Sequence, residues 1–274
     1  MTAREDQGFS ALASRIAGEA GLDVGAYKDR CLRRRIAVRM RACGVHTYTE
    51  YLTVLDRMPD EFERLLDALT INVTKFFRNR ETWDTLAAGV VPELLRSREG
   101  RLRAWSAGCS SGEEPYTIVM VMALVLERLG RIGWLDRARV DATDFDKASL
   151  ETARAGRYPL KVFSEAPAEA LRRFCQPIDA DTVEVRPEIR ALVDFRRHDL
   201  LRDPPVAPRY DLILCRNVVI YFDRETQEKL MNRFTDALAP DGILVLGKVE
   251  TIFGTARDRL DLIDPRERIY RRVA

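Results

Sequence analysis

Residues 105–116, WSAGCSSGEEPY, decide the fold of this chain, because a strand, a turn of small residues and the start of a helix follow one another there. Arg101 to Ala107 predict the strand, and the Gly, Cys and Ser turn after it allows the backbone to approach a ligand closely. Pro115 suits the first turn of a helix, which continues from Tyr116 to Leu129. Its apolar run, Ile118 to Leu126, is shorter than the roughly 20 residues of a membrane span, so we expect no membrane insertion.

The two carboxylates at the start of this helix, Glu113 and Glu114, indicate the kind of ligand. They would repel a phosphate group, but they accept hydrogen bonds from a cationic or hydroxyl-bearing ligand. S-Adenosylmethionine is such a ligand. The alternative is an ordinary strand-to-helix turn whose acids only complement the helix dipole.

Composition excludes several classes of function. Charged residues make up 32% of the 274 residues but nearly cancel, to a net charge of +2, so overall charge gives no support for nucleic-acid binding. The five cysteines form no C-x-x-C pair and no signal peptide precedes them, which predicts a cytoplasmic protein. With only His46 and His198 and no metal-ligand spacing, we expect neither a metal site nor a Ser-His-Asp triad.

The pattern of the chain changes along its length. Residues 1 to about 70 have helical periodicity without strands, whereas strand candidates follow at 101–107, 138–143, 192–196, 210–215 and 242–247, with helices between most of them. We therefore predict a small all-helical domain, 1–72, and a doubly wound α/β domain, 73–274. Within the latter, the Pro-rich and charged region 156–190 predicts a small β-subdomain insertion.

Polar residues follow two of the predicted strands, where α/β folds bind ligands. Asp144 ends the second strand, at the place of an acid that binds ribose hydroxyls, although Asp144 or Asp146 capping a helix is an equal alternative. Asn217 and Tyr221 follow strand 210–215. The Pro-Pro-aromatic motif of base-modifying amino-methyltransferases is missing there, since the related Asp203-Pro204-Pro205-Val206 precedes the strand.

Four separated motifs resemble the CheR family of chemotaxis receptor methyltransferases. They are NVTKFFR at 72–78, SAGCSSGEEPY at 106–116, Asp144, and CRNVVIYF at 215–222. The resemblance covers nearly the whole chain and implies methyl transfer from S-adenosylmethionine to glutamate carboxylates on the cytoplasmic helical bundle of a chemoreceptor. The products would be glutamate methyl esters and S-adenosylhomocysteine. We expect the protein to act as a monomer.

The resemblance also implies roles for individual residues. The catalytic residues would be Arg78 and Tyr221, which place the substrate carboxylate. That carboxylate, with a pKa near roughly 4.3, is already ionised at neutral pH and needs no general base. The cofactor would be bound by Asn72, Thr74, Arg78, Gly108, Glu114, Asp144, Asp199, Leu200, Arg216 and Asn217. At Asp199 the family often has Asn.

A basic helix is the predicted substrate-binding element. Six arginines between positions 30 and 41 crowd it, and Arg30, Arg34 and Arg41 project opposite the apolar stripe of Leu32, Ile36 and Met40. Almost no acids accompany them, which favours a polyanionic partner over a simple solvated face. In the resembling family this helix meets the acidic methylation region of the receptor. RNA or DNA is the rival polyanion, although we expect no nucleic-acid partner, and a non-catalytic S-adenosylmethionine-binding signalling module is a second alternative.

Two departures from the family pattern bear on partners. The segment 175–182 is short and lacks a glycine-rich turn, so we expect no binding of the receptor's carboxyl-terminal pentapeptide tether. Gly247-Lys248-Val249-Glu250 stands where many relatives have Gly-His-Ser-Glu, which indicates a sub-branch serving a pathway other than flagellar chemotaxis.

Overall fold

A computed structural model describes residues 3–70 and 74–273, with side chains from Gln7 onward, and shows two compact units. One unit contains the amino-terminal helices together with Tyr221–Thr226, and the other contains the rest of the described chain. Asn72 lies outside the described residues. Within the described ranges, no helix combines the length and apolar character that crossing a membrane requires.

Amphipathic helices build the first unit. They are α1 (Ala3–Ala20), α2 (Asp29–Ala42), α3 (Tyr48–Arg57) and α4 (Pro59–Leu69). A capping box between Thr47 and Glu50 starts α3, and a proline at the first position starts α4. The carboxylate of Glu61 is buried in this unit, where it accepts hydrogen bonds from Arg39 and from the Tyr51 hydroxyl.

The segment Tyr221–Thr226 packs with these helices, which the sequence did not predict. Several of its contacts are with the turn before α2. Lys28 N donates to Tyr221 O at 2.8 Å, Asp223 N donates to Ala26 O at 2.9 Å, and the rings of Phe222 and Tyr27 meet edge to face at 5.0 Å.

A seven-stranded sheet organises the second unit and confirms the predicted doubly wound, Rossmann-like α/β fold. Its strands are β1 (Arg103–Ala107), β2 (Arg139–Asp144), β6 (Val193–Arg197), β7 (Tyr210–Cys215), β8 (Leu238–Leu246), β9 (Leu260–Asp264) and β10 (Ile269–Arg272). The order is β6-β2-β1-β7-β8-β10-β9, parallel through β8 and antiparallel at β10 and β9. The sequence patterns missed β9 and β10 and placed the start of β8 too late.

Helices flank this sheet, and a second small sheet is inserted. The helices are α5 (Arg80–Thr85), α6 (Val91–Ser97), α7 (Glu113–Arg128), α8 (Lys147–Ala155), α9 (Ala168–Phe174), α10 (Pro187–Arg190) and α11 (Arg224–Ala237), with a π-helical turn at Leu86–Val90. The small antiparallel sheet consists of β3 (Arg157–Pro159), β4 (Cys175–Pro177) and β5 (Thr182–Val185). This sheet confirms the β-subdomain expected within 156–190.

Four adjacent parallel strands, β6, β2, β1 and β7, end at the same edge of the large sheet. Asp144 is the last residue of β2, Gly108 directly follows β1, and Asp199 and Asn217 lie in the loops after β6 and β7. Strand order therefore gathers residues that lie far apart in the sequence, at the edge where α/β folds bind ligands.

Candidate functional site

The turn after β1 is held by protein contacts at its glycines. Gly108 and Gly112 have φ of +83° and +96°, a region that favours glycine. A Cβ on Gly108 would lie 2.5 Å from Val218 Cγ2, and one on Gly112 would lie 2.8 Å from Ala153 Cβ. Gly108 N and Cys109 N both donate to Thr143 O, which joins the turn to β2. The glycines thus allow strand ends and helices to approach each other closely. From the sequence, the expected reason for these small residues was the close approach of a ligand.

Glu114 lies at the centre of the site in a buried ion pair. Ser106 Oγ donates to its Oε1 at 2.8 Å, and Arg216 Nη1 lies 3.5 Å from its Oε2. Burial raises the pKa of Glu114, whereas the Arg216 charge, the Ser106 hydroxyl and the Arg78 charge act in the opposite direction. The carboxylate therefore faces a cationic environment that only partly offsets its burial.

Arg216 connects this pair to the turn that carries Arg78. Its side chain is only 2% exposed, and its Nη2 donates to Arg78 O at 2.9 Å and to Asn79 Oδ1 at 3.0 Å. Phe77 and Asn79, on either side of Arg78, have φ of +55° and +59°, which places strained backbone at this position. Thr74, at the start of the same segment, is half-buried.

Asp144 binds backbone N–H groups at the end of β2. Its two oxygens accept hydrogen bonds from Ser110 N at 2.7 Å and Asp146 N at 3.0 Å. Burial raises its pKa, and these hydrogen bonds oppose the shift. The helix-capping role belongs to Asp146, whose carboxylate accepts from Ala148 N at the start of α8. Of the two residues that the capping alternative named, Asp146 therefore caps the helix and Asp144 does not.

The loop after β6 brings two further predicted residues to the same edge. His198 N donates to Asp144 O at 2.9 Å, which ties the loop to the end of β2. Asp199 Oδ1 accepts from Leu201 N at 2.8 Å, and Leu200 is buried. An aspartate at position 199 is thus accommodated by a local turn.

Asn217 has a left-handed backbone and a buried side-chain oxygen. Its φ is +62°, and its Oδ1 has no hydrogen-bond partner among the described residues, as is also true of Ser110 Oγ. Buried polar atoms of this kind normally have partners. Asn217 directly follows Arg216, the partner of Glu114, and Ser110 N donates to Asp144. An acceptor and a hydroxyl left open on these two residues fit a ligand that carries hydroxyl, amino and cationic groups, as S-adenosylmethionine does.

A further residue of the site, Glu250, was not predicted from the sequence. This buried carboxylate accepts N–H groups from Asn217 and Val218, each at 3.0 Å, and from Gly247. One sequence signal could have identified it. This chain has Gly-Lys-Val-Glu at 247–250 where many relatives have Gly-His-Ser-Glu, so the glutamate is kept while the two residues before it differ.

The remaining predicted residues belong to the helical unit. Tyr221 places its ring 4.4 Å from the Arg35 guanidinium, so its position relative to Glu114 stays a prediction. Arg30, Arg34 and Arg41 are exposed on α2, while Leu32, Ile36 and Met40 are buried, which confirms the predicted faces. The expectation that almost no acids accompany the arginines needs correction, because Asp29 pairs with Arg33 and Glu61 pairs with Arg39.

Comparison with protein families assigns both parts of the chain. Residues 72–269 match the model described as CheR methyltransferase, SAM binding domain, and residues 7–70 match the CheR methyltransferase, all-alpha domain. The chain belongs to the CheR methyltransferase family. Its cofactor is S-adenosylmethionine, and the open polar atoms around Glu114 are consistent with this CheR assignment.

Individual relatives of this CheR chain agree over most of its length. A chemotaxis protein methyltransferase of Listeria innocua is 38% identical over 87% of this chain and 87% of its own length. Chemotaxis protein methyltransferase 2 of Pseudomonas aeruginosa is 37% identical over 90% and 86%, respectively. The chemotaxis protein methyltransferase of Escherichia coli is 34% identical over 90% and 85%.

Proposed function

We propose that this chain transfers the methyl group of S-adenosylmethionine to glutamate side chains of a chemoreceptor's cytoplasmic helical bundle, as an adaptation enzyme in the cytoplasm. The observation that carries the proposal is the cluster of Glu114, Arg216, Arg78 and the open Asn217 Oδ1 at the carboxyl edge of the sheet. Family membership and relatives named chemotaxis protein methyltransferase support it.

The cofactor would be held by the residues at that edge. Glu114 would accept from the cationic amino group of its methionine part and Asp144 from its ribose hydroxyls, while Asp199 and Leu200 would lie near the adenine. Asn217 would supply its open amide oxygen, and Asn72, Thr74, Gly108 and Arg216 would complete the wall. When bound, S-adenosylmethionine supplies a methyl group on a positively charged sulfur.

The protein's own part in the reaction would be placement of the substrate carboxylate. This group is ionised at neutral pH, so no proton has to be removed before it attacks the methyl group. Holding it in line with the reacting bond recovers entropy worth about 7–11 kcal/mol in well-oriented systems. Arg78 would orient the carboxylate and Tyr221 would donate one hydrogen bond. A tight ion pair between Arg78 and the substrate carboxylate would stabilise the ground-state anion more than the charge-depleted transition state. The role of Arg78 would therefore be orientation.

The exposed face of α2 would bind the receptor. Arg33 and Arg39 are engaged by acids, so Arg30, Arg34 and Arg41 are the arginines of this helix that offer charge to a partner. Their spacing places them along one side of the helix, with exposed Val38 between Arg34 and Arg41. We propose that this face meets an acidic helical surface, and that the short β4–β5 connection does not bind a pentapeptide tether.

Labelled cofactor distinguishes this proposal from its two alternatives. Incubation with [methyl-³H]-S-adenosylmethionine and a receptor cytoplasmic fragment should give base-labile label on the fragment, because methyl esters hydrolyse in alkali. A fragment with its methylatable glutamates changed to alanine is the control and should remain unlabelled. Label on RNA would favour a nucleic-acid enzyme, and cofactor binding without any transfer would favour a signalling module.

A further inference from the structure

We propose that Glu250 is a positioning residue that clamps the loop after β7 to the loop after β8 and thereby sets the place of Asn217. The inference rests on the proposed function only where it assigns Asn217 to the cofactor wall. Glu250 itself follows β8, the strand next to β7, and has no predicted contact with the cofactor.

One buried carboxylate binds several backbone donors from the two loops. Glu250 Oε2 accepts from Asn217 N and from Gly247 N, while Oε1 accepts from Val218 N. The backbone of Ile220 also hydrogen-bonds the carboxylate. Backbone N–H groups of both loops thus share one acceptor, the carboxylate of Glu250, and Glu250 is only 2% exposed.

The backbone conformation of Asn217 is held by this anchor. A φ of +62° is uncommon for a residue with a side chain, although asparagine adopts it more readily than most residues, so hydrogen bonds that fix it select one of the conformations open to this loop. Here Glu250 fixes the N–H of Asn217 and the N–H of the next residue, which together set the direction of the side chain. The open Oδ1 of Asn217 is therefore aimed by Glu250 rather than by its own contacts.

Gly247 shows how closely the two loops approach. Its carbonyl accepts from Glu250 N at 2.9 Å, which closes a tight turn. A Cβ at this position would lie 2.7 Å from Glu250 Oε2 and 2.9 Å from Asn217 N. A methyl group there would push the two loops apart without changing any charge. Gly247→Ala should therefore weaken the hydrogen bonds of Glu250 to the loop after β7, as Glu250→Gln should.

Matched control variants separate positioning from general stability. Asp211 is a buried carboxylate near the amino end of β7, away from the loops that Glu250 joins, and it accepts hydrogen bonds from Arg98 Nε and Arg103 N. Asp211→Asn controls for Glu250→Gln. Gly133 has no atom within 4 Å of an added Cβ, so Gly133→Ala controls for Gly247→Ala.

The test measures amide hydrogen exchange of residues 216–220 without cofactor, and the Kd for S-adenosylhomocysteine by calorimetry. In Glu250→Gln and Gly247→Ala we expect faster exchange and at least about tenfold weaker binding, while both controls stay within about twofold of the wild type. Wild-type exchange and affinity in both clamp variants would overturn the proposal, as would equal weakening in Asp211→Asn.

Two features keep this test decisive. If Glu250→Gln does not fold, Gly247→Ala alone supports or overturns the clamp by the same criteria. A wild-type protein that failed to bind S-adenosylhomocysteine would count against the proposed function, whereas the exchange measurement would still judge the clamp because it uses no cofactor.

Discussion

At the residue scale, the buried pair of Glu114 and Arg216 shows how the site prepares a carboxylate for a cation. Burial raises the pKa of Glu114, and the Arg216 charge and the Ser106 hydroxyl counteract that shift. The contact with Arg216 is long, at 3.5 Å, which would leave Glu114 able to accept hydrogen bonds from the proposed ligand. Breaking such a pair by removing one partner leaves an uncompensated buried charge, which costs about 3–5 kcal/mol in well-studied cases.

The pH dependence of cofactor binding follows from this pair. In the proposed site, ionised Glu114 would accept a hydrogen bond from the ligand's ammonium group, so affinity for S-adenosylhomocysteine should fall as the pH drops through the pKa of Glu114. Because burial raises that pKa above 4.5, the loss should begin at a higher pH than an ordinary glutamate would give. Because Glu114 binds its proton more tightly in the folded protein than in the unfolded chain, this group also affects stability. Its contribution to the stability of the ligand-free protein decreases as the pH rises from the ordinary glutamate pKa to the raised pKa of Glu114.

Calorimetry across pH checks this expectation. Arg216→Met should move the midpoint of the affinity loss to higher pH, because the charge that favours ionised Glu114 is gone. Glu114→Gln is the control that removes this titration and leaves those of Asp144, Glu113 and Glu250, whose pKa values are also raised by burial. An unchanged midpoint in Arg216→Met would contradict the role of the pair.

Arg78 allows a clean separation of catalysis from binding. Its carbonyl accepts the hydrogen bonds from Arg216 and from the Trp83 indole, so Arg78→Ala keeps these backbone contacts. We expect turnover to fall about 100-fold, the scale of a misplaced reacting group, with a much smaller change in S-adenosylhomocysteine affinity. Tyr221→Phe should show the same split to a lesser degree. Equal losses in binding and turnover would argue against both assignments.

At the element scale, α2 combines a structural face with an exposed basic face. Its arginines divide by partner, since Arg33 and Arg39 form ion pairs within the helical unit and Arg35 donates to Leu69 O. The helical periodicity predicted which arginines are exposed. It did not predict the partners, because Glu61 lies on α4 and its contact with α2 depends on how the helices pack.

Charge reversal on α2 tests its role in substrate binding. Changing Arg30, Arg34 and Arg41 to Glu should raise the KM for the receptor fragment at least about tenfold and flatten its salt dependence, because exposed charges attract through screened fields. The Kd for S-adenosylhomocysteine should not change. A triple reversal at exposed Arg96, Lys147 and Arg209 in the sheet unit is the matched control. A KM equal to that of the control would contradict the proposal.

Elements were predicted best where their signals are local. Helix α7 and strand β7 appeared in the sequence as long apolar runs with turn residues at their ends, and the structure confirms both. Strands β9 and β10 were missed because their short, charged sequences have no such signal. They exist as strands because β8 presents a free edge to β10, and β10 presents one to β9.

At the scale of the whole molecule, the chain returns from the sheet unit to complete the helical unit. Phe222 is buried beside Tyr27, some two hundred residues away in sequence. Phe222→Ala should destabilise the helical unit by about 3–5 kcal/mol, the usual cost of removing a buried aromatic ring. The expected result is faster amide exchange in residues 24–36. Phe253→Ala, in the sheet unit, is the control, and unchanged exchange in residues 24–36 of the Phe222 variant would contradict the assignment.

The sequence by itself determined the fold class, the family and the cofactor, because these are carried by local patterns: strand and helix periods, the small-residue turn, and four ordered motifs. Only the tertiary structure decided that Glu114 pairs with Arg216, that Val218 fills the space beside Gly108, and that Glu250 holds Asn217. The physical reason is that each of these contacts joins different loops, whose neighbours are set by strand order and buried packing. Spacing along the chain does not encode that proximity.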